Sequence, residues 1–97
     1  MLLNEHQIRL LGYMLNLIEQ FREGECSFYD LVYGLEGALD AGEFHNELFV
    51  REWYDYWTPL EILDATCGNN AAIKDANECI CEMDFFLKRV LNMISIE

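Results

Sequence analysis

The chain has 97 residues, with 18 Asp or Glu against 6 Lys or Arg, and therefore a formal net charge of −12. This balance argues against direct binding to nucleic acid or to an anionic membrane, because both need clustered Lys and Arg. The hydrophobic fraction of 53% predicts a folded chain, and the length predicts a single domain over residues 1–97. The charge favours a basic protein partner, and the alternative is that it only keeps the protein soluble.

The first residues do not resemble a secretory signal, because Met1 and two leucines are followed at once by Asn4, Glu5 and His6. No apolar run approaches the length of a bilayer span. We therefore expect a cytoplasmic protein. The four cysteines, Cys26, Cys67, Cys79 and Cys81, are then expected to stay reduced.

Two amphipathic helices are predicted in the first half of the chain. In the first, over residues 4–23, apolar residues recur at spacings of three and four, and Asn4 with Gln7 forms a capping-box pattern. Gly24 suits a left-handed helix end. The second helix begins after Ser27, whose side chain is a good N-cap, and closes at Gly42.

A third helix is predicted over residues 43–57 and a short fourth helix over 59–67. The break between them rests on Thr58 as N-cap, Pro59 at the first helical position and Glu61 completing a capping box. The buried side of these two helices is expected to carry Phe44, Leu48, Phe49, Trp53, Tyr56, Leu60, Ile62 and Leu63.

The last helix, predicted from Asn70 after a turn at 68–70, has apolar residues at alternating spacings of three and four. They are Ile73, Ala76, Ile80, Met83, Leu87, Val90 and Ile94. Such a seam either docks on the protein's own first helix or forms half of an oligomeric coiled coil through 70–94. Phe85, Phe86 and Leu91 broaden the apolar face, which favours intramolecular docking. The expected fold is all-α, a compact bundle of four longer helices plus one short helix.

No pattern in the chain predicts a reaction. Carboxylate pairs follow from the abundance of acids alone, and no Glu-x-x-His motif for a helical di-iron site is present. Cys79 and Cys81 lack zinc-ligand spacing, so only a zinc site assembled from distant Cys and His is left open. We find no phosphate loop, nucleophile elbow or dinucleotide fingerprint. We therefore expect no enzymatic activity, no cofactor and no metal site.

The segment 36–64 combines eight acids with six aromatic residues and one base, Arg51. Clustered carboxylates attract a basic partner and speed encounter, and Tyr and Trp are enriched at interface hot spots. Tyr54 and Trp57 are the expected apolar anchors, because they fall off the apolar stripe of the third helix. The predicted partner-binding residues are Glu36, Asp40, Glu43, Glu47, Tyr54, Asp55, Trp57 and Glu61.

Four short segments carry a resemblance to a known group of proteins. They are FREG at 21–24, LVYGLE at 31–36, FVREW at 49–53 and LE at 60–61. This pattern resembles small all-helical bacterial immunity proteins of toxin systems, including contact-dependent growth inhibition. The resemblance covers about residues 21–64 and consists mostly of helix caps and core positions.

The resemblance implies a cytosolic, non-enzymatic immunity protein that binds and neutralises a cognate toxin domain, frequently a basic nuclease. It transfers no binding residue, because the toxin-binding faces vary between members. The alternative function is a small helical adaptor or homo-oligomeric regulatory protein without a toxin partner.

Overall fold

The computed structural model describes residues 2–67 and 73–96, and these form an all-α fold, as predicted. The helices are α1 (Glu5–Arg22), α2 (Phe28–Gly42), α3 (Glu47–Cys67) and α4 (Ile73–Met93). Two-residue strands, β1 (Leu2–Leu3) and β2 (Ser95–Ile96), pair in parallel and tie the ends of the described chain together. The sequence pattern did not predict this pairing. None of the described helices combines the length and the apolar character needed to cross a bilayer.

The limits of α1 and α2 follow the predicted caps. The Asn4 side chain accepts from the Gln7 backbone N–H at 2.8 Å, and the Asn4 N–H donates to Gln7 Oε1 at 3.1 Å. Ser27 Oγ accepts from the Asp30 N–H at 3.0 Å. The Gln7 side chain also donates to the carbonyl of Gly42 at 3.0 Å, so the start of α1 satisfies the end of α2.

The predicted break at Thr58-Pro59 is wrong, since α3 is one helix with Pro59 inside it. A proline inside a helix costs about 3 kcal/mol, because it removes a backbone hydrogen bond and clashes with the preceding turn. Trp57 before the proline is 3% exposed and Leu60 after it is 0% exposed. Burying both on one continuous stripe favours the unbroken helix.

The start of α3 also differs from the prediction, at Glu47 instead of Glu43. Asn46 Oδ1 accepts from the Phe49 N–H at 2.9 Å and so satisfies a donor in the first turn of α3. Glu43 instead ends α2 in the left-handed conformation, with φ 48° and ψ 50°. The predicted turn at 68–70 and the predicted start of the last helix at Asn70 lie outside the described residues.

The predicted seam of α4 packs inside the protein, against α1 and α3. Its buried members are Ala76, Ile80, Met83, Leu87 and Val90. Intramolecular docking is therefore confirmed for this seam, and a second chain would have to use another face of α4.

Three side chains predicted to be buried are exposed: Leu48 by 75%, Ile62 by 55% and Phe85 by 70%. The buried residues of α3 are Phe49, Trp53, Trp57 and Leu60. Since successive helical residues are rotated by about 100°, Leu48 and Ile62 point away from that stripe. Phe85 is likewise turned outward beside the fully buried Phe86.

Candidate partner-binding face

One outward stripe of α2 consists of two tyrosines followed by two acids. Tyr29, Tyr33, Glu36 and Asp40 are separated by four, three and four residues, so they share a helix face. Tyr29 is 57% exposed and Tyr33 is 37% exposed, and their ring centroids lie 4.6 Å apart. The other side of α2 is buried in the core, so this stripe is fixed in orientation.

The neighbouring flank of α3 adds a tyrosine and two more acids. The Tyr54 hydroxyl donates to Glu36 Oε2 at 3.5 Å, which joins the two helices at the surface. Tyr54 also packs edge-on against Trp53 and Trp57, with centroid distances of 5.1 and 5.6 Å. We call the combined surface the tyrosine–carboxylate face. It consists of Tyr29, Tyr33, Glu36, Asp40, Tyr54, Glu61 and Asp64.

Electrostatic coupling shows that these side chains are neighbours. Partial burial raises the pKa of Tyr54, and the negative charges of Glu36, Asp40 and Glu61 raise it further. Partial burial also raises the pKa of Tyr33, with further contributions from Asp64 and Glu61. Both hydroxyls therefore stay protonated at neutral pH and remain hydrogen-bond donors beside the carboxylates.

The acids of this face have no basic partner among the side chains of residues 2–67 and 75–94. The ion pairs formed there involve Glu19, Glu52 and Asp84. The carboxylates of Glu36, Asp40, Glu61 and Asp64 thus keep an uncompensated negative field on one side of the molecule. Such a surface is suited to bind cationic groups.

Trp57 does not belong to the surface, so the prediction that it is an exposed anchor is wrong. It is 3% exposed, and its indole N–H donates to the Val32 carbonyl at 2.8 Å. It also stacks on Trp53 with ring centroids 5.8 Å apart. The predicted helix break at Pro59 assigned Trp57 and Leu60 to different helices, whereas the unbroken α3 carries both on one buried stripe.

The structure brings together four of the predicted residues: Glu36, Asp40, Tyr54 and Glu61. Glu43, Glu47 and Asp55 are exposed, but no hydrogen bond or ion pair among the described side chains joins them to the tyrosine–carboxylate face. Glu43 borders a separate polar pocket that His6, Gln7 and His45 also line.

Tyr29, Tyr33 and Asp64 are members of the face that the sequence interpretation did not select. A usable signal was present, since the two tyrosines continue the spacing of Glu36 and Asp40 toward the start of α2. Asp64 is three residues after Glu61 on the same helix face, and it is one of the eight acids of the segment 36–64.

The described residues contain no group of three or more His, Cys, Asp or Glu placed to hold a metal ion. The four cysteines form no disulfide with one another.

Comparisons of the chain with known protein families, curated proteins and solved structures found no match.

Proposed function

We propose that this protein is a non-enzymatic immunity protein that binds and neutralises a toxin domain with a basic surface. The observation that carries the proposal is the tyrosine–carboxylate face, in which Glu36, Asp40, Glu61 and Asp64 have no basic partner among the side chains of residues 2–67 and 75–94. The resemblance of residues 21–64 to bacterial immunity proteins supports the class of partner.

The chemistry of the face matches a cationic partner in two ways. Like charges on neighbouring helices repel one another, and a partner's Lys and Arg side chains would relieve that repulsion. Three tyrosines among the acids supply rigid contact area, with hydroxyls that donate and accept hydrogen bonds. A toxin nuclease presents such cations where it holds nucleic-acid phosphates. An inhibitor of a nuclease would act in the cytoplasm, where the substrate is.

The first experiment identifies the partner and tests the face together. The tagged wild-type chain is used to capture partners from its own cells at low and at moderate salt, and these are identified by mass spectrometry. The captured domain is then expressed with and without the wild-type chain. We expect one basic partner, held more tightly at low salt, that arrests growth alone and is harmless when co-expressed.

Two variants with equal charge change locate the interface. E36Q/D40N/E61Q/D64N removes the four carboxylates of the face, and E23Q/E25Q/E78Q/E82Q removes four exposed carboxylates elsewhere. We expect only the first variant to lose protection against the toxin, while both keep wild-type helix content. Equal protection by both variants would show that the face is not the interface. A captured partner that is neither basic nor toxic would overturn the immunity function.

A further inference from the structure

The three most exposed large apolar side chains of the described residues lie on one surface, the outer groove between α3 and α4. Leu48 is 75% exposed, Met93 is 72% exposed and Phe85 is 70% exposed. Scattered exposed apolar residues are normal in soluble proteins, whereas several grouped on one surface can mark an interaction site.

These residues belong to a regular pattern of three cross-helix pairs. Leu48, Glu52 and Tyr56 are four residues apart on α3, and Phe85, Arg89 and Met93 are four apart on α4. Leu48 and Met93 line one end of the groove, and Tyr56 and Phe85 line the other. We call these six residues the three-rung strip, with the Glu52–Arg89 ion pair as its middle rung.

The middle rung packs on Phe86, a buried residue at the base of the groove. Arg89 Nη2 lies 2.6 Å from Glu52 Oε2, and the guanidinium also lies over the Phe86 ring at 5.5 Å from its centroid. Tyr56 stacks on the same Phe86 ring with a centroid distance of 4.8 Å. The strip therefore presents an opposite-charge pair in fixed positions between two apolar ends.

We propose that the three-rung strip binds a second copy of this chain, related by a two-fold axis that runs along the groove. That axis places each residue of a pair opposite the other residue of the same pair in the second copy. Leu48 meets Met93 of the second copy, Tyr56 meets its Phe85, and Glu52 meets its Arg89. The strip is thus complementary to itself in both charge and apolar character, as an isologous interface requires.

Charge complementarity argues for a second copy over the basic partner of the tyrosine–carboxylate face. The charges of Glu52 and Arg89 cancel, so the strip has no excess of acid to attract a cationic surface. A net charge of −12 opposes self-association at most orientations. The strip itself adds no net charge to that repulsion, and Glu82 is the acid that lines its Tyr56–Phe85 end. Screening by salt should therefore strengthen pairing of two copies, whereas it weakens binding of a basic partner.

Sedimentation velocity of the full chain over a range of concentrations and two salt concentrations tests this arrangement. We expect the mass to rise from the monomer value of 11.4 kDa to twice that value, at lower concentration when salt is higher. L48E and F85E should each weaken association by about tenfold or more, because they place charge in the apolar ends. I62E is the matched control, since Ile62 is also exposed on α3 but lies outside the strip.

The middle rung provides a test that does not depend on loss of apolar contact. E52R and R89E should each weaken pairing, and the double variant E52R/R89E should restore it, because opposite charges again face each other across the axis. Thermal unfolding of the same charge variants in the monomeric L48E background separates this effect from stability.

A chain that stays monomeric at every concentration and salt would overturn the proposal. So would a dimer that F85E leaves intact. If F85E instead abolishes capture of a different protein by a monomeric chain, the strip belongs to that protein and the second copy is excluded.

Discussion

The tyrosine–carboxylate face and the three-rung strip lie on opposite flanks of α3 and differ in their charge. The first flank presents Tyr54, Glu61 and Asp64 beside α2, and its acids form no ion pair with the side chains of residues 2–67 and 75–94. The second presents Leu48, Glu52 and Tyr56 beside α4, and its one acid is neutralised by Arg89. The buried stripe of α3 separates the two flanks.

This difference shows that the two flanks of one helix carry different chemistry. The four acids of the first surface have no basic partner among the side chains of residues 2–67 and 75–94, and the three most exposed large apolar side chains of the described residues lie on the second. The two surfaces should respond to salt in opposite directions, because attraction to a basic partner is screened while repulsion between copies is relieved.

The largest effect on stability is expected at Trp57, which lies on the buried stripe of α3 between the two flanks. Trp57→Ala would empty a buried site and leave the Val32 carbonyl without its donor, which should lower the free energy of unfolding by about 3–5 kcal/mol. Urea denaturation measures this change. Ile62→Ala, at an exposed position of the same helix, should stay within about 0.5 kcal/mol of wild type. A change below about 1 kcal/mol for Trp57→Ala would place the indole at the surface after all.

The second largest effect on stability is expected at Asp84, an acid that has basic partners, unlike the acids of the tyrosine–carboxylate face. Asp84 is 7% exposed, and its carboxylate lies 2.8 Å from Arg22 and 3.0 Å from Lys88. Arg22→Gln should lower the free energy of unfolding by about 2 kcal/mol at neutral pH, because it removes a charged partner from a buried acid. Arg9→Gln, at an exposed position of α1, is the control and should be close to neutral.

The pH dependence of that effect follows from the pKa of Asp84. Burial alone would raise this pKa, but hydrogen bonds and charge from Arg22 and Lys88 outweigh it and lower the pKa below its usual value. Since the folded state holds the proton less tightly, the stabilisation is present above the ordinary Asp pKa of about 3.9. It is lost as pH falls through the lower folded value. The difference between wild type and Arg22→Gln should shrink over that range. A difference that is constant with pH would rule out the pairing as its cause.

A third experiment sharpens the assignment of the face through the titration of Tyr54. Its pKa is raised by partial burial first, and then by the charges of Glu36, Asp40 and Glu61. The variant E36Q/D40N/E61Q should shift its phenolate absorbance toward lower pH, with Tyr54→Phe identifying the signal. The raised pKa adds stability below the ordinary Tyr pKa of about 10, which is lost as pH rises through the folded value. An unchanged titration would separate Tyr54 from these acids.

The smallest effect is expected at Glu43, which lies outside both surfaces. Its left-handed backbone costs about 1 kcal/mol for a residue with a Cβ, so Glu43→Gly should stabilise the protein by about 0.5–1 kcal/mol. Glu43→Ala is the control, because it removes the carboxylate without relieving the backbone and should not stabilise. Partner affinity should be unchanged in both variants. Lost affinity would extend the interface beyond the face to the end of α2.

Local signals were reliable wherever the cap or the periodicity alone decided the structure. Asn4 with Gln7 and Ser27 set the starts of α1 and α2, because these hydrogen bonds form within one turn. The seam of α4 likewise identified its buried side. The equally strong cap signal at Thr58-Pro59 did not hold, because burial of Trp57 and Leu60 on one helix outweighs a single backbone hydrogen bond.

The sequence by itself determined the all-α class, the ends of the first two helices and the acidic excess, since these depend on neighbouring residues and on composition. Only the tertiary structure decided that Trp57 is buried, that Leu48 and Phe85 are exposed, and that Tyr33 of α2 lies beside Glu61 and Asp64 of α3. The reason is that burial depends on which flank of a helix another helix covers. Because successive residues are rotated by about 100°, one wrongly placed helix boundary is enough to assign a buried side chain to the exposed side of the helix.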